Sequence, residues 1–278
     1  MVIIGPGLIG GSLGLAVRKA GLAGHVVGVG HRQTSIDKAL AMGAIDSGSL
    51  DAASAVDGAD AVIVCTAVGL IPDFIRKIAP RLKPGCIVSD VGSTKTGIVR
   101  EAESVLPAGV HFVGAHPIAG SERRGIDIAQ ADLFRRRVCV LTPSPRTDAL
   151  ALTRMKELWT SVGARVLTLT PEHHDAILAR TSHLPHVTAA ALLASLDAGD
   201  APFVGTGFRD TTRIGSGDPD LWVDILLANR EGLLGALDRF GLKLDELKRA
   251  LRSDDADAVR HFLSRARDRR DNEFPDPS

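Results

Sequence analysis

The 278 residues suffice for one large or two ordinary domains, and 33 basic against 33 acidic side chains leave no net charge. A chain without a global basic field is not built to hold nucleic acid or an anionic membrane surface. The composition, 45% hydrophobic and 24% charged, is that of a globular protein, and no apolar run is long enough to span a bilayer. The chain opens on an apolar strand, not on the basic start, longer apolar stretch and small-residue cleavage site of a secretory signal. Cys65, Cys86 and Cys139 each sit in an apolar, strand-like run, at spacings that match no zinc pattern. Buried, reduced thiols in a cytoplasmic protein are the expectation. Arg135, Arg136 and Arg137 read as a solvated turn.

In chain order, residues 1–4, 25–29, 61–66, 86–90, 110–114 and 138–141 are predicted strands. They are rich in Val and Ile with little polar alternation, which suits strands buried on both faces. Residues 8–20, 34–42, 70–81 and 94–105 are predicted helices between them. Strands alternating with helices imply a doubly wound, mostly parallel sheet. A helix over 150–162 and a strand over 164–169 close this first domain, 1–169. Thr170 then reads as an N-cap with Pro171 at the first helical position. From there to 196, over 221–240 and over 244–269, apolar residues recur at helical spacing, so residues 170–270 form an all-α second domain. The polar tail 271–278 is expected to be disordered.

Gly5-Pro6-Gly7-Leu8-Ile9-Gly10 follows the first strand and opens the first helix, the context a dinucleotide-binding turn requires. Gly5 permits the tight turn, Gly7 lets a pyrophosphate approach the backbone, and Gly10 lets the helix pack on the strand. The helix N-terminus offers free N–H groups to phosphate, so a Rossmann domain is expected. Leu8, Ile9 and Thr66 are assigned to the same site. After the second strand, where an NAD site usually carries an acidic residue, the chain reads His31-Arg32-Gln33-Thr34-Ser35. Nothing there repels a 2′-phosphate. Arg32 can stack on adenine or pair with that phosphate, and Thr34 and Ser35 can donate hydroxyls. The reading leans to NADP over NAD; the alternative is a plain surface Arg32, with Gln33 serving NAD.

Four further segments stand out: Ser89 to Lys95 at a strand end, His116-Pro-Ile-Ala-Gly-Ser121-Glu122 after the next strand, Ser182-His-Leu-Pro-His186 on a helix, and Gly207-Phe-Arg-Asp210-Thr-Thr-Arg213 followed by Asp218 to Trp222. With the glycine turn, in this order, they resemble the prephenate/arogenate dehydrogenase family of tyrosine biosynthesis. The likeness runs from Val2 to about Leu227. The departures are a short start, no acidic residue after the second strand, and no fused mutase or regulatory domain. The resemblance implies an enzyme that oxidises a ring hydroxyl with a nicotinamide cofactor while the ring loses carbon dioxide and becomes aromatic. Such chemistry needs a proton acceptor at the hydroxyl and cations for the carboxylates. It makes His116 the acceptor, with Ser93 bonding the same hydroxyl or the nicotinamide. Arg213 would hold the ring carboxylate, His186 and Trp222 would line the side-chain pocket with Ser121, and Glu122 and Asp210 would orient or gate these groups.

His173, His174 and Asp175, with His183 and His186 nearby, could suggest a metal, but Pro185 disturbs their shared face and hydride chemistry needs none. No metal is expected; His174 reads as a support or cap, and His183 as a packing or hydrogen-bonding residue. The helices over 176–196 and 221–240 carry apolar residues around more than one face, which predicts a homodimer, as the resemblance also implies. The rival readings are a β-hydroxyacid or imine reductase of the same architecture, which would usually rely on a lysine or acid in the first long helix of the second domain, and a non-catalytic NADP-sensing module.

Overall fold

The computed structural model describes residues 1–120 and 125–274. Strands β1 (Val2–Ile4), β2 (Val27–Val29), β3 (Ser47–Ser49), β4 (Ala61–Val64), β5 (Ile87–Asp90), β6 (His111–Pro117), β7 (Val138–Thr142) and β8 (Arg165–Thr168) form one sheet in the order β3-β2-β1-β4-β5-β6-β7-β8. All neighbours are parallel except β6 and β7. The chain winds outward from β1 to β3, then returns to β4 on the other side of β1. The crevice at the C-terminal ends of β1 and β4 is therefore the switch point at which such sheets bind ligands.

Both faces are covered, which explains strands that are apolar throughout. Ile3 and Ile63 pack with Leu13, Val17, Phe134 and Trp159 on one side. Val2, Ile4, Val62 and Val64 pack with Ile71, Ile75 and Ile78 on the other. Each such fully buried side chain stabilises the fold by roughly 1.5–3 kcal/mol. Helices α1 (Leu8–Lys19), α2 (Gln33–Ala41), α3 (Ala52–Ala55), α4 (Ile71–Ile78), α5 (Thr96–Val105) and α6 (Ala149–Ser161) make the crossovers. Local chemistry starts several of them. The Asp51 carboxylate accepts from the N–H of Ala53 and Ser54 ahead of α3, and Asp148 accepts from Ala151 in α6. Arg135, Arg136 and Arg137 are exposed, and Arg136 turns the chain toward β7 with φ 61°.

Several boundaries differ from the sequence-based expectation. β3 is Ser-Gly-Ser, with no apolar pattern to announce it; backbone pairing to β2 makes it a strand. β6 continues past Gly114 to Pro117, because Gly114–Pro117 pair antiparallel with β7. His116 therefore lies within a strand, opposite Val140, rather than in the turn after it. The helix expected from 171 to 196 is α7 (Pro171–Leu178), a wide π-type turn at Ala179–His183, and α8 (Leu184–Ala194). Pro185 has no N–H to give the preceding turn, and the widened turn accommodates that loss. Further on lie α9 (Thr206–Thr212), α10 (Pro219–Ala228), α11 (Arg230–Arg252) and α12 (Ala256–Glu273). The helix expected over 221–240 is split at Asn229, which leaves helical geometry at φ −117°, ψ 34°. The break expected near residue 241 is absent; it falls at Asp254, where φ is 52° and Asp255 caps α12 through Ala258 N–H. α12 stays helical three residues beyond Arg270, where the polar composition suggested fraying, and an Arg269–Glu273 pair spans its last turn. The last four residues lie outside the described ones.

The chain divides into two compact units, Met1–Arg230 and the helices from Glu231 on. The first holds the sheet together with α7 to α10, whose side chains reach the strand ends described below. In the second, Glu246 ties α11 to α12 through Arg265 at 2.6 Å. No described helix is long and apolar enough to cross a membrane.

Candidate active site

The glycine turn is shaped by close approach. Gly5 has φ 89°, and a Cβ there would lie 2.7 Å from the carbonyl oxygen of Cys65. A Cβ on Gly10 would lie 2.3 Å from the oxygen of Gly5. A Cβ on Gly7 would meet nothing within 4 Å, so open space faces the start of α1. Gly7 caps α1 without a side chain, and Leu8 and Ile9 begin its first turn, so the N–H groups there are left for an anion. Thr66 follows β4 across the switch point, and its hydroxyl reaches Ala67 O at 3.4 Å. This cradle fits the pyrophosphate of a dinucleotide. At the end of β2, His31, Arg32 and Thr34 are exposed and Ser35 is half-buried. Arg32 caps α2 with its backbone, accepting from Ser35 N–H at 3.1 Å, while Gln33 is turned to Asp37 at 2.8 Å.

Beyond β5, a fully buried ion pair locks two strand ends. Lys95 donates to Asp90 and, at 2.8 Å, to the carbonyl of Ala115. The Asp90 carboxylate also accepts from Gly92 N–H at 2.8 Å and Ala115 N–H at 3.2 Å. Burial pulls the Lys95 ammonium down from its ordinary value, and Asp90 opposes that. The pair fixes the loop carrying Ser93, which is half-buried, to the strand carrying His116.

His116 meets α7. Its Nδ1 lies 2.8 Å from Nε2 of His174, and Nδ1 of His174 lies 2.8 Å from the Asp175 carboxylate. Asp175 also accepts from the N–H of Lys95 and of Thr96, both at 2.8 Å, so one carboxylate holds His174 and the start of α5 together. Burial tends to raise the Asp175 carboxyl, but hydrogen bonds from His174, Thr96 and Lys95 hold it below the usual carboxylate range. Burial first, then His174, Lys95 and His183, push the His116 imidazole well below its ordinary value. His116 is thus neutral and keeps a partly exposed face.

The widened turn brings two more histidines inward. Burial lowers His183 to about 4. Asn229, beyond α10, faces Nδ1 of His183 at 3.2 Å and donates to the Asp175 carbonyl at 2.7 Å. His186 stacks on Trp222 with ring centroids 3.5 Å apart and planes within 10°, and His183 meets the same indole edge-on at 6.4 Å. Gly217 sits against this stack, where a Cβ would come within 2.4 Å of the indole nitrogen. Nε2 of His183 and Nδ1 of His186 are buried with no hydrogen-bond partner among the described residues. Beside the stack opens a cavity of about 770 Å³ lined by Ile118, Ala119, Ser182, Ile214, Gly217 and Trp222, among others. A second hollow of about 620 Å³, around Met1, Val27 and Ala61, lies at the opposite ends of the strands, away from the switch point.

His116, His186 and Trp222 therefore gather around α7 and α8, and Ser93 precedes α5. Asp210 is exposed on α9, and Arg213 is exposed where α9 ends, next to the cavity residue Ile214. Ser121 and Glu122 lie outside the described residues. Sequence reasoning gave no role to Asp90, Lys95, Asp175 or Asn229. The first two stood inside a segment already singled out, and a charged pair bounded by apolar strands was the available signal. Asp175 stood beside His174 in a group weighed only as a possible metal site, and its links to Lys95 and Thr96, 80 and 79 residues away, left no pattern; nor did that of Asn229, 54 residues from its partner.

Comparison with known proteins agrees in both halves. Residues 13–168 match the family model of the prephenate dehydrogenase nucleotide-binding domain, and residues 170–265 that of the prephenate dehydrogenase dimerization domain. A prephenate dehydrogenase of Bacillus subtilis is 33% identical over 98% of this chain and 75% of its own length. A cyclohexadienyl dehydrogenase of Zymomonas mobilis is 35% identical over 94% and 92%. The crystal structure of the A. aeolicus prephenate dehydrogenase, in complex with hydroxyphenyl propionate and NAD+, superposes with a TM-score of 0.90 at 33% identity, covering 97% of this chain and 96% of that one. With a dinucleotide cradle at the switch point and a neutral histidine at the end of β6, the chain belongs to the prephenate dehydrogenase family and is a nicotinamide-dependent oxidoreductase.

Proposed function

We propose that this chain oxidatively decarboxylates prephenate or arogenate, with His116 accepting the proton of the ring hydroxyl. The observation that carries the assignment is a neutral, partly exposed imidazole held on one nitrogen by His174. A neutral imidazole can take a proton from the hydroxyl as its carbon is oxidised. Gly5, Gly7, Leu8, Ile9, Gly10 and Thr66 would hold the dinucleotide, and its nicotinamide ring supplies the hydride acceptor when bound. Ser93 orients the hydroxyl. Arg213 holds the ring carboxylate and Asp210 orients or gates it; Ser121 and Glu122, expected at the same site from the sequence, lie outside the described residues. His186 and Trp222 wall the side-chain pocket, and the unpartnered Nδ1 of His186 suits a keto or amino acid side chain. Arg32, Thr34 and Ser35 favour NADP, because no carboxylate in that segment opposes a 2′-phosphate. The working form is a homodimer joined through the helical half, consistent with the dimerization-domain match.

The test is initial-rate kinetics with prephenate and arogenate against NAD and NADP, followed by absorbance of the reduced nicotinamide. Turnover with at least one pair is expected. Cofactor binding without turnover of either substrate would overturn the assignment.

A further inference from the structure

The hydrogen bonds behind His116 fix more than its position. Asp175 is held as a carboxylate, so it accepts and His174 Nδ1 carries the proton that it receives. When His174 carries that one proton and no other, its Nε2 is an acceptor and Nδ1 of His116 donates to it. The only place left for the His116 lone pair is Nε2, on the other edge of the ring. Asp175 is itself immobile, gripped by two backbone N–H groups at the start of α5. The tautomer of His116 is thus dictated from a carboxylate on another element.

The reaction makes this arrangement matter. The hydroxyl O–H bond breaks and its electron pair closes the ring C=O, while the C–H pair would leave as hydride to the nicotinamide of a dinucleotide held at the glycine turn. The bond to the ring carboxylate then breaks, carbon dioxide departs, and that pair enters the ring. The ring becomes aromatic and the carbonyl oxygen becomes a phenolate, which takes the proton back. The proton removed in the first half is consumed in the second, at the same oxygen. A base that keeps this proton for the interval can return it to the same oxygen.

We propose that His174 and Asp175 are positioning residues for this step. They present His116 with Nε2 ready to accept, and they share the positive charge of the protonated imidazole until the proton is returned. The inference rests on His116 being the acceptor. The other groups facing His116 are His183, on the widened turn, and Lys95, ahead of α5. Both disfavour the protonated ring, as does the charge of His174 itself, and the Asp175 carboxylate on the far side of His174 is the anion placed to offset them.

The test compares kcat, KM and the pH profile of kcat/KM for His174→Gln, His174→Ala, Asp175→Asn and His116→Asn in the full-length protein. His174→Ala should lower kcat about a hundredfold, with KM and cofactor affinity within about twofold. His174→Gln keeps an oxygen that can accept from Nδ1 of His116 but cannot relay charge, so it should recover part of the loss and settle about tenfold below the parent. Asp175→Asn should lower the plateau and move the acid limb of kcat/KM to lower pH, because His116 loses the anion that supports its protonated form. A kcat within twofold of the parent in either His174 variant overturns the inference, as does an acid limb unmoved in Asp175→Asn. If His174→Ala does not fold, His174→Gln decides alone. Normal turnover in His116→Asn would instead bring down the acceptor assignment itself, so the two failures are distinguishable.

Discussion

Asp90 and Lys95 form an ion pair with no solvent exposure on either side chain, and the ammonium also holds the Ala115 carbonyl at 2.8 Å. A buried pair of this kind is weak evidence of net stabilisation, but removing one partner leaves a charge stranded. Asp90→Ala should therefore cost about 3–5 kcal/mol of stability, unless Lys95 sheds its proton. Denaturant unfolding measures it. A loss below about 1 kcal/mol would mean that water enters and solvates Lys95.

Stability should fall as pH drops from neutrality toward 4. His183 is pushed from 6.5 to about 4 by burial, so the unfolded chain binds its proton first. The contribution is fully present above 6.5 and is lost as pH falls through the window down to about 4. His116, also depressed by burial, adds in the same direction. Melting temperature against pH should show this slope, and His183→Gln should flatten it. An identical slope in the variant would remove His183 from the account.

Arg32 is exposed at the end of β2, with its backbone starting α2. If its guanidinium pairs with a 2′-phosphate, Arg32→Ala should raise the dissociation constant for NADP about tenfold or more while NAD changes little. Equal losses for the two cofactors, read by fluorescence titration, would mean that Arg32 stacks on adenine.

Arg213 stands where α9 ends, beside the cavity. Arg213→Ala should raise KM for the cyclohexadienyl acid about tenfold, equivalent to ~1.4 kcal/mol of lost binding, with a smaller effect on kcat. An unchanged KM would return Arg213 to a purely structural place.

Large apolar side chains remain uncovered in the helical half: Leu227 is 65% exposed and Leu242 67%. A two-fold interface is the commonest way to bury such faces. Size exclusion with light scattering should give a dimer mass at micromolar concentration. A single monomer peak would contradict the homodimer.

The sequence by itself determined the fold class and most of the candidate site. Its strands are apolar throughout because both faces of the sheet are covered, and Gly5 and Gly10 are written into the chain because no Cβ fits there. These are local constraints, and local constraints leave local patterns. Tertiary structure decided the rest. β3 exists because β2 lends it hydrogen bonds, and His116 lies in a strand because β7 extends β6 beyond Gly114. The widened turn at Ala179–His183 replaced a uniform helix, and with it the shared face on which a metal site could be imagined from spacing. Above all, the link from Asp175 runs through His174 to His116, 58 positions before His174, and Asp175 also reaches back to Lys95 across 80. No periodicity records such a pairing. It follows from the topology, which sets α7 against the ends of β5 and β6, and from the cost of leaving a buried charge or polar group without a partner.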